Sequence, residues 1–299
     1  MTLNFDLSFE PAYGRPVTVF PGVARLTAKN PGPFTFYGTN SYLIGEHELA
    51  ILDPGPENDE HFNALIAAIA GRPVSHILVS HTHRDHSPLA ALLSKSTGAR
   101  VYAEGPHRAA RALSAGTPFN DGADTAFTPD VALADGDVVM GDGWALRTVL
   151  TPGHTANHAA FALEGAGLLF SADHVMAWST TIVAPPDGSM SEYMASLDKL
   201  IERNDGLLLP GHGSPVKNPH DYLRGLKEHR LARERAILDR LAQGDRSIDE
   251  LVGAIYRDTD PKMHGAAALS VLAHLEDLVD RKLVATDGAA SIRGIFRPV

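Results

Sequence analysis

Through about Gly213 the chain alternates short apolar or alternating runs with Gly, Pro, Asp and Asn. Runs of this length, bounded by turn formers, predict strands at 17–20, 41–44, 49–52, 76–80, 147–150, 159–163, 168–170 and 206–209. Helical spacing of apolar positions falls between some of them, at 59–70, 88–96 and 191–203. The last opens on Ser191 and carries a stripe of Met194, Leu197, Leu200 and Ile201. Strands that first cluster and then interleave with helices imply layered sheets covered by helices. From about Pro219 the texture turns helical: 221–243, 248–256 and 266–282 are predicted helices. Two β-like runs follow, 283–285 and 292–296, with a turn at Asp287 and Gly288.

The pattern therefore divides the chain into an α/β domain over 1–220 and a smaller helical domain over 221–299, whose three helices and terminal hairpin follow the order of a winged helix. The third helix of that domain is apolar along Leu269, Leu272, Leu275, Leu278 and Val279, with Glu276, Asp277 and Asp280 between them. Only Arg281 and Lys282, at its end, are basic. A helix that reads a DNA groove carries basic and amide side chains on the groove face. Residues 228–299 hold eleven Lys and Arg against twelve Asp and Glu, a net charge of −1, so the counterion-driven attraction to duplex DNA is missing. The stripe is instead expected to be buried, against the first domain or against a second copy in a homodimer.

Composition narrows the class further. The 299 residues are 44% hydrophobic and 21% charged, as in an ordinary globular protein. No apolar run approaches the eighteen or so residues of a membrane span, and the N-terminal stretch lacks the basic start and apolar core of a secretory signal; a cytoplasmic location is expected. The net charge of −10 disfavours passive attraction to nucleic acid or anionic lipid. The chain has no cysteine, which excludes disulfides and thiolate metal ligands.

The chemistry sits at strand ends. After the predicted strand 76–80 come His81, Thr82, His83, Arg84, Asp85 and His86. In an extended segment side chains two apart point the same way, so His81 and His83 can grip one cation. Asp85 and His86 fall where the chain turns into the next helix and can address a second. Three further sites repeat the placement: His154 after the strand 147–150, Asp173 after 168–170, and His212 after 206–209, each flanked by small residues. Imidazole and carboxylate donors without thiolate suit Zn²⁺, and Mn²⁺ or Fe²⁺ can occupy the same set. Two such cations about 3.5–4 Å apart lower the pKa of a shared water toward about 7.

His-x-His-x-Asp-His, then His, Asp and His in this order resembles the metallo-β-lactamase-fold hydrolases. The resemblance implies an αββα sandwich with the metals at one edge of the sheets. It assigns His81, His83 and His154 to one ion, Asp85, His86 and His212 to the other, and Asp173 to both. Two early segments, Gly38 to Leu43 and Leu52 to Gly55, are also similar to the family, with Asp53 expected to be structural and not a ligand. Asp85 is the expected proton relay. His158 is a candidate for polarising substrate or for orienting a ligand, and His174 for touching substrate. His47, His61, His76, His107, His220, His229, His264 and His274 are assigned no part in the site.

Departures from the family's branches sort the activity. β-Lactamases of this fold lack the bridging Asp present here as Asp173. Flavodiiron oxidoreductases carry Glu where this chain has His83. The large nucleic-acid-processing members insert a domain between the bridging Asp and the last His, here only 39 positions apart. The stretches from Tyr193 to Leu197 and Pro210 to Val216, with Glu228, His229 and Arg230, are similar to the lactamase-beta-like hydrolases with a C-terminal winged helix, whose mitochondrial member is a single-strand endoribonuclease. The expectation is a zinc-dependent hydrolase with two Zn²⁺ acting on a phosphodiester or ester-type bond, in a small molecule or single-stranded RNA. The alternatives are a glyoxalase-II-like thioesterase or lactonase and, with one iron, a sulfur dioxygenase.

Overall fold

The computed structural model describes residues 3–112 and 119–299. Its first sheet contains seven strands in the order β1 (Val17–Phe20), β2 (Val23–Thr27), β3 (Asn40–Ile44), β4 (Leu49–Leu52), β5 (Val74–Leu78), β6 (Arg100–Ala103) and β7 (Val131–Ala132). Pairing is antiparallel through β4 and parallel from β4 to β7. The parallel part is reached through helices α1 (Asp59–Ile69) and α2 (Leu89–Thr97), which cover the outer face of this sheet. The second sheet has six strands: β8 (Val138–Gly141), β9 (Trp144–Leu150), β10 (Ala159–Leu163), β11 (Leu168–Ala172), β12 (Leu207–Pro210) and β13 (Val216–Lys217). Helices α3 (Met190–Ile201) and α4 (Pro219–Gln243) cover its outer face.

The two sheets meet over Tyr42, Leu52, Leu78, Leu146, Phe161, Phe170 and Leu209. Strands β3, β4 and β11 are buried at every residue; β4 accordingly reads as a continuous apolar run and not as alternation, while β3 and β11 bury Asn40, Ser41 and Ser171 beside their apolar residues. The result is the expected αββα sandwich. Beyond it, α5 (Ile248–Ile255), α6 (His264–Asp280) and the hairpin β14 (Val284–Thr286) with β15 (Phe296–Pro298) build the winged-helix-like domain around its own core of Ile237, Leu241, Leu251, Leu275, Leu278 and Phe296. The stripe of α6 is covered within the chain: Leu272, Leu275 and Leu278 face this core, and Ala273 joins the cluster beneath α3 and α4.

Three local readings change. The cap of α3 is Ser189, not Ser191: its hydroxyl accepts the Glu192 N–H, so the helix begins a residue earlier. Strands β2, β6, β7, β8 and β13 were not predicted; Arg25 breaks the apolar pattern of β2 and Arg100 that of β6, although Arg25 is itself buried with its guanidinium over the Phe9 ring. The expected boundary at 220/221 falls inside α4. Leu223 and Leu226 of that helix pack into the cluster outside the second sheet, while Ile237 and Leu241 belong to the C-terminal core. No helix among the described residues is long and apolar enough to cross a membrane.

Candidate metal centre

All the expected ligands lie just beyond the C-terminal ends of β5, β9, β11 and β12, on one rim of the sandwich. The backbone there is held in forms that bring them together. Gly153 has φ +135°, and a Cβ at this position would lie 2.3 Å from the Tyr193 backbone. A Cβ on Gly211 would lie 2.3 Å from Asp173 Oδ1 and 2.8 Å from His86 Cε1. Asp53 (φ 51°) and Ala172 (φ 42°) are non-glycine residues in the left-handed region. Such strain concentrates at functional sites.

The donor atoms form three overlapping groups: His81, His83 and His154; His81, His86 and Asp173; and Asp85, His86 and His212. His83 Nδ1 lies 3.1 Å from His81 Nε2 and 3.0 Å from His154 Nε2. Asp85 Oδ2 lies 3.2 Å from both His86 Nε2 and His212 Nε2. Asp173 stands between the two sets. Its Oδ1 is 3.6 Å from His86 Nε2, and its Oδ2 is 3.3 Å from His212 Nε2 and 3.7 Å from His154 Nε2.

Four of the histidines turn Nε2 inward because Nδ1 is engaged outside. His154 Nδ1 donates to the Ile182 carbonyl (2.7 Å) and His212 Nδ1 to the Gly38 carbonyl (3.1 Å). His86 Nδ1 donates to Asp53 Oδ2 (2.9 Å). Asp53 also accepts from the Ser80 N–H and hydroxyl, both at 2.7 Å, and Ser80 Oγ lies 3.0 Å from His81 Nδ1. One buried carboxylate thus orients a histidine of each group. Bonds of this kind fix the tautomer that presents a lone pair to a metal.

The residues fit a pair of divalent cations. Tetrahedral ligands about 2.0–2.1 Å from zinc stand roughly 3.3 Å apart, the spacing seen here. His86 Nε2 and Asp173 Oδ1 are buried without a hydrogen-bond partner among the described residues, a costly arrangement that a cation relieves. The electrostatics agree. Burial opposes charge on His86 and His212, yet Asp85, Asp173 and Asp53 hold His86 far above the usual imidazole range, and Asp173 with Asp85 lifts His212 to about 10. Burial likewise works against Asp85 and Asp173, but His86 and His212 keep both well below the carboxylate range. His81 and His83 go the other way. Burial and neighbouring imidazoles push His81 well down and His83 to about 3. Cations bound by these residues would take the place of protons on His86 and His212.

His83 and Asp85 are the partly exposed members and mark the mouth; the Asp85 side chain is 25% exposed. Thr39 Oγ1, at 3.1 Å, donates to Asp85 Oδ2. His158 lies beneath the cluster, 1% exposed, its ring centre 5.2 Å from that of His81 and its Nδ1 2.8 Å from Thr151 Oγ1. Of its two expected roles, packing behind and orienting a ligand fits this position, and contact with substrate does not. His174 is fully buried between His158 and Tyr193, where burial lowers its pKa to about 3, so it does not reach the mouth either.

Sequence reasoning missed the residues that brace the ligands. Thr39 stood in a segment marked only by resemblance, and Ser80, Thr181 and Ile182 carried no signal. Asn40 closes the site from the first sheet by donating to the Pro210 and Gly213 carbonyls, both at 3.1 Å.

Residues 34–212 match the metallo-beta-lactamase superfamily, and residues 247–292 match the beta-lactamase associated winged helix domain. The chain belongs to the metallo-beta-lactamase superfamily. It is 29% identical over 266 residues to a Beta-lactamase-like protein 2 homolog of Caenorhabditis elegans, covering 86% of this chain and 83% of that protein. It is 26% identical over 298 residues to an atrochrysone carboxyl ACP thioesterase of Aspergillus novofumigatus, covering 93% and 84%. In structure it resembles a beta-lactamase domain protein from Burkholderia ambifaria, with a TM-score of 0.80 at 24% identity over 97% of this chain and 95% of that one.

Proposed function

We propose that the protein is a two-zinc hydrolase that cleaves an acyl ester or thioester. The observation that carries the reading is the position of Asp173, whose two oxygens lie 3.3–3.7 Å from histidines of both donor groups. Cations bound there would supply Lewis acidity and lower the pKa of a bound water toward about 7. The residues do the rest. His81, His83 and His154 would hold one ion, Asp85, His86 and His212 the other, and the buried floor excludes bulk water from beneath. Asp85, at the open side and fixed by the Thr39 hydroxyl, takes the proton of the attacking water and passes it to the leaving group.

An acyl substrate is favoured over a phosphodiester for two reasons. A relative spanning nearly the whole chain is named a thioesterase. The chain's charge of −10 works against a polyanion such as single-stranded RNA. The reading gives duplex DNA and membranes no part in the reaction and keeps the protein in the cytoplasm.

The test is a panel assayed with zinc and after chelation: an acyl-pantetheine thioester, a lactone, a β-lactam, a phosphodiester and single-stranded RNA. Thioester or ester turnover is expected to lead and to vanish with the metal. Faster cleavage of the phosphodiester or RNA overturns the substrate class, and one tightly held iron without a second metal overturns the zinc assignment.

A further inference from the structure

We infer that Arg230, from the helix entering the C-terminal domain, is a positioning residue for the metal centre. The inference rests on the ligand roles proposed above. Arg230 lies midway along α4, 3% exposed, and its Nε finds no hydrogen-bond partner among the described residues. Burying an uncompensated guanidinium is expensive, and an apolar residue of similar volume fills such a place at less cost. What it touches accounts for its presence. Nη2 donates to the Thr181 carbonyl, Nη1 lies 3.4 Å from Ser270 Oγ of α6, and the guanidinium sits 5.1 Å from the centre of the Tyr193 ring.

Each main contact leads to a ligand in one step. The Thr181 hydroxyl donates to the Asp173 carbonyl at 2.7 Å and lies 2.9 Å from the His174 carbonyl. The next carbonyl, that of Ile182, accepts the His154 Nδ1–H. Tyr193 donates through its hydroxyl to the His174 carbonyl (3.3 Å), and its backbone is the surface against which Gly153 packs. A single side chain of the helix that carries the winged-helix domain therefore fixes the segment bracing Asp173 and His154. The C-terminal domain is in this sense part of the metal centre, though it supplies no ligand.

The test uses the full-length apo protein and its Arg230→Met, Arg230→Lys and Thr181→Val variants. Cobalt titration followed by the visible spectrum reports coordination directly, and denaturant unfolding of the apo forms reports folding. Thr181→Val leaves the arginine and its carbonyl contact but cuts the link to Asp173. Expected for Arg230→Met and Thr181→Val are a folded protein, about tenfold weaker cobalt binding, an altered spectrum, and a fall in kcat with KM held. Lysine, which can still donate to the carbonyl, should recover part of the affinity. Wild-type cobalt affinity and spectrum in folded Arg230→Met overturns the inference. Should that variant not fold, the same wild-type behaviour in Thr181→Val does so. If the unsubstituted protein takes up no cobalt, the metal-centre reading itself fails, a separate result.

Discussion

Replacing Asp53 with Asn tests the logic of the site more sharply than removing a ligand. In the native arrangement Oδ1 accepts the Ser80 N–H, and Oδ2 accepts both the Ser80 hydroxyl and the His86 Nδ1–H. The backbone N–H can only donate, so the amide oxygen of an Asn must stay on it. The NH₂ group then faces His86, donates to Nδ1, and drives the imidazole proton to Nε2, the atom that points into the cluster. Loss of such an orienting partner costs about 10–100-fold in metal affinity, about 1.4–2.7 kcal/mol. Shape and fold should survive, because Asn is nearly isosteric and tolerates the left-handed backbone at this position. Asp53→Ala should behave differently. It strands three buried donors at about 1–3 kcal/mol each and adds about 1–2 kcal/mol of backbone strain, so the apo protein itself loses several kcal/mol. Zinc titration against a competing chelator separates the effects when paired with urea unfolding of the metal-free forms. Wild-type affinity for both ions in Asp53→Asn would refute the tautomer argument. Equal apo stability of the two variants would refute the account of the stranded donors.

Other outcomes follow from the same geometry. Asp173→Ala is expected to lose metal and activity together, whereas Asp85→Asn keeps the ion held by His81, His83 and His154 but loses most turnover; elemental analysis beside initial rates tells them apart. Gly211→Ala places a methyl 2.3 Å from Asp173 Oδ1 and should reduce metal content as severely as removing a ligand, with normal occupancy the contrary result. In His274, burial first and then Arg230, His229 and Arg233 hold the folded pKa at about 3 against an ordinary 6.5. As pH falls below 6.5 the unfolded chain takes up this proton first, so the stability the neutral form contributes is whole above 6.5 and lost toward pH 3. His274→Leu should therefore flatten the acid side of the stability profile, by about 2 kcal/mol between pH 6.5 and 5 in urea unfolding with chelator present. A variant that tracks the wild type over this range would contradict the burial argument.

The ligands were legible because strand ends display chemistry in short, local patterns. Two-residue spacing put His81 and His83 on one side, and small residues marked His154, Asp173 and His212. The αββα layering was legible for a related reason: buried strand β4 is apolar without interruption, and β11 opens on the apolar run Leu168, Leu169 and Phe170. What escaped depends on contacts far apart in sequence. Ile182 is known as an anchor only once it lies beside His154, 28 positions away, and Arg230 only when α4 returns over Thr181, 49 positions away. Strand β2 was hidden because a buried Arg25 reads as surface until Phe9 is seen beneath it. His158 and His174 show what burial adds to the reading. A histidine next to ligands in sequence invites a role at the mouth, yet the strand and turn that carry these two direct them into the core.

The passage of α4 through both cores has a practical consequence for anyone who would treat the chain as two interchangeable modules. A cut at the start of the helix strips Leu223 and Leu226 from the catalytic layer, and a cut in its middle removes Arg230 or exposes Ile237 and Leu241. No graft point inside this helix leaves both halves intact. Chimeras that exchange winged-helix tails among relatives must carry the whole helix with its native underside, or redesign the layer beneath it. The tail and the sandwich are thus coupled along this rod by the apolar side chains that α4 gives to each core.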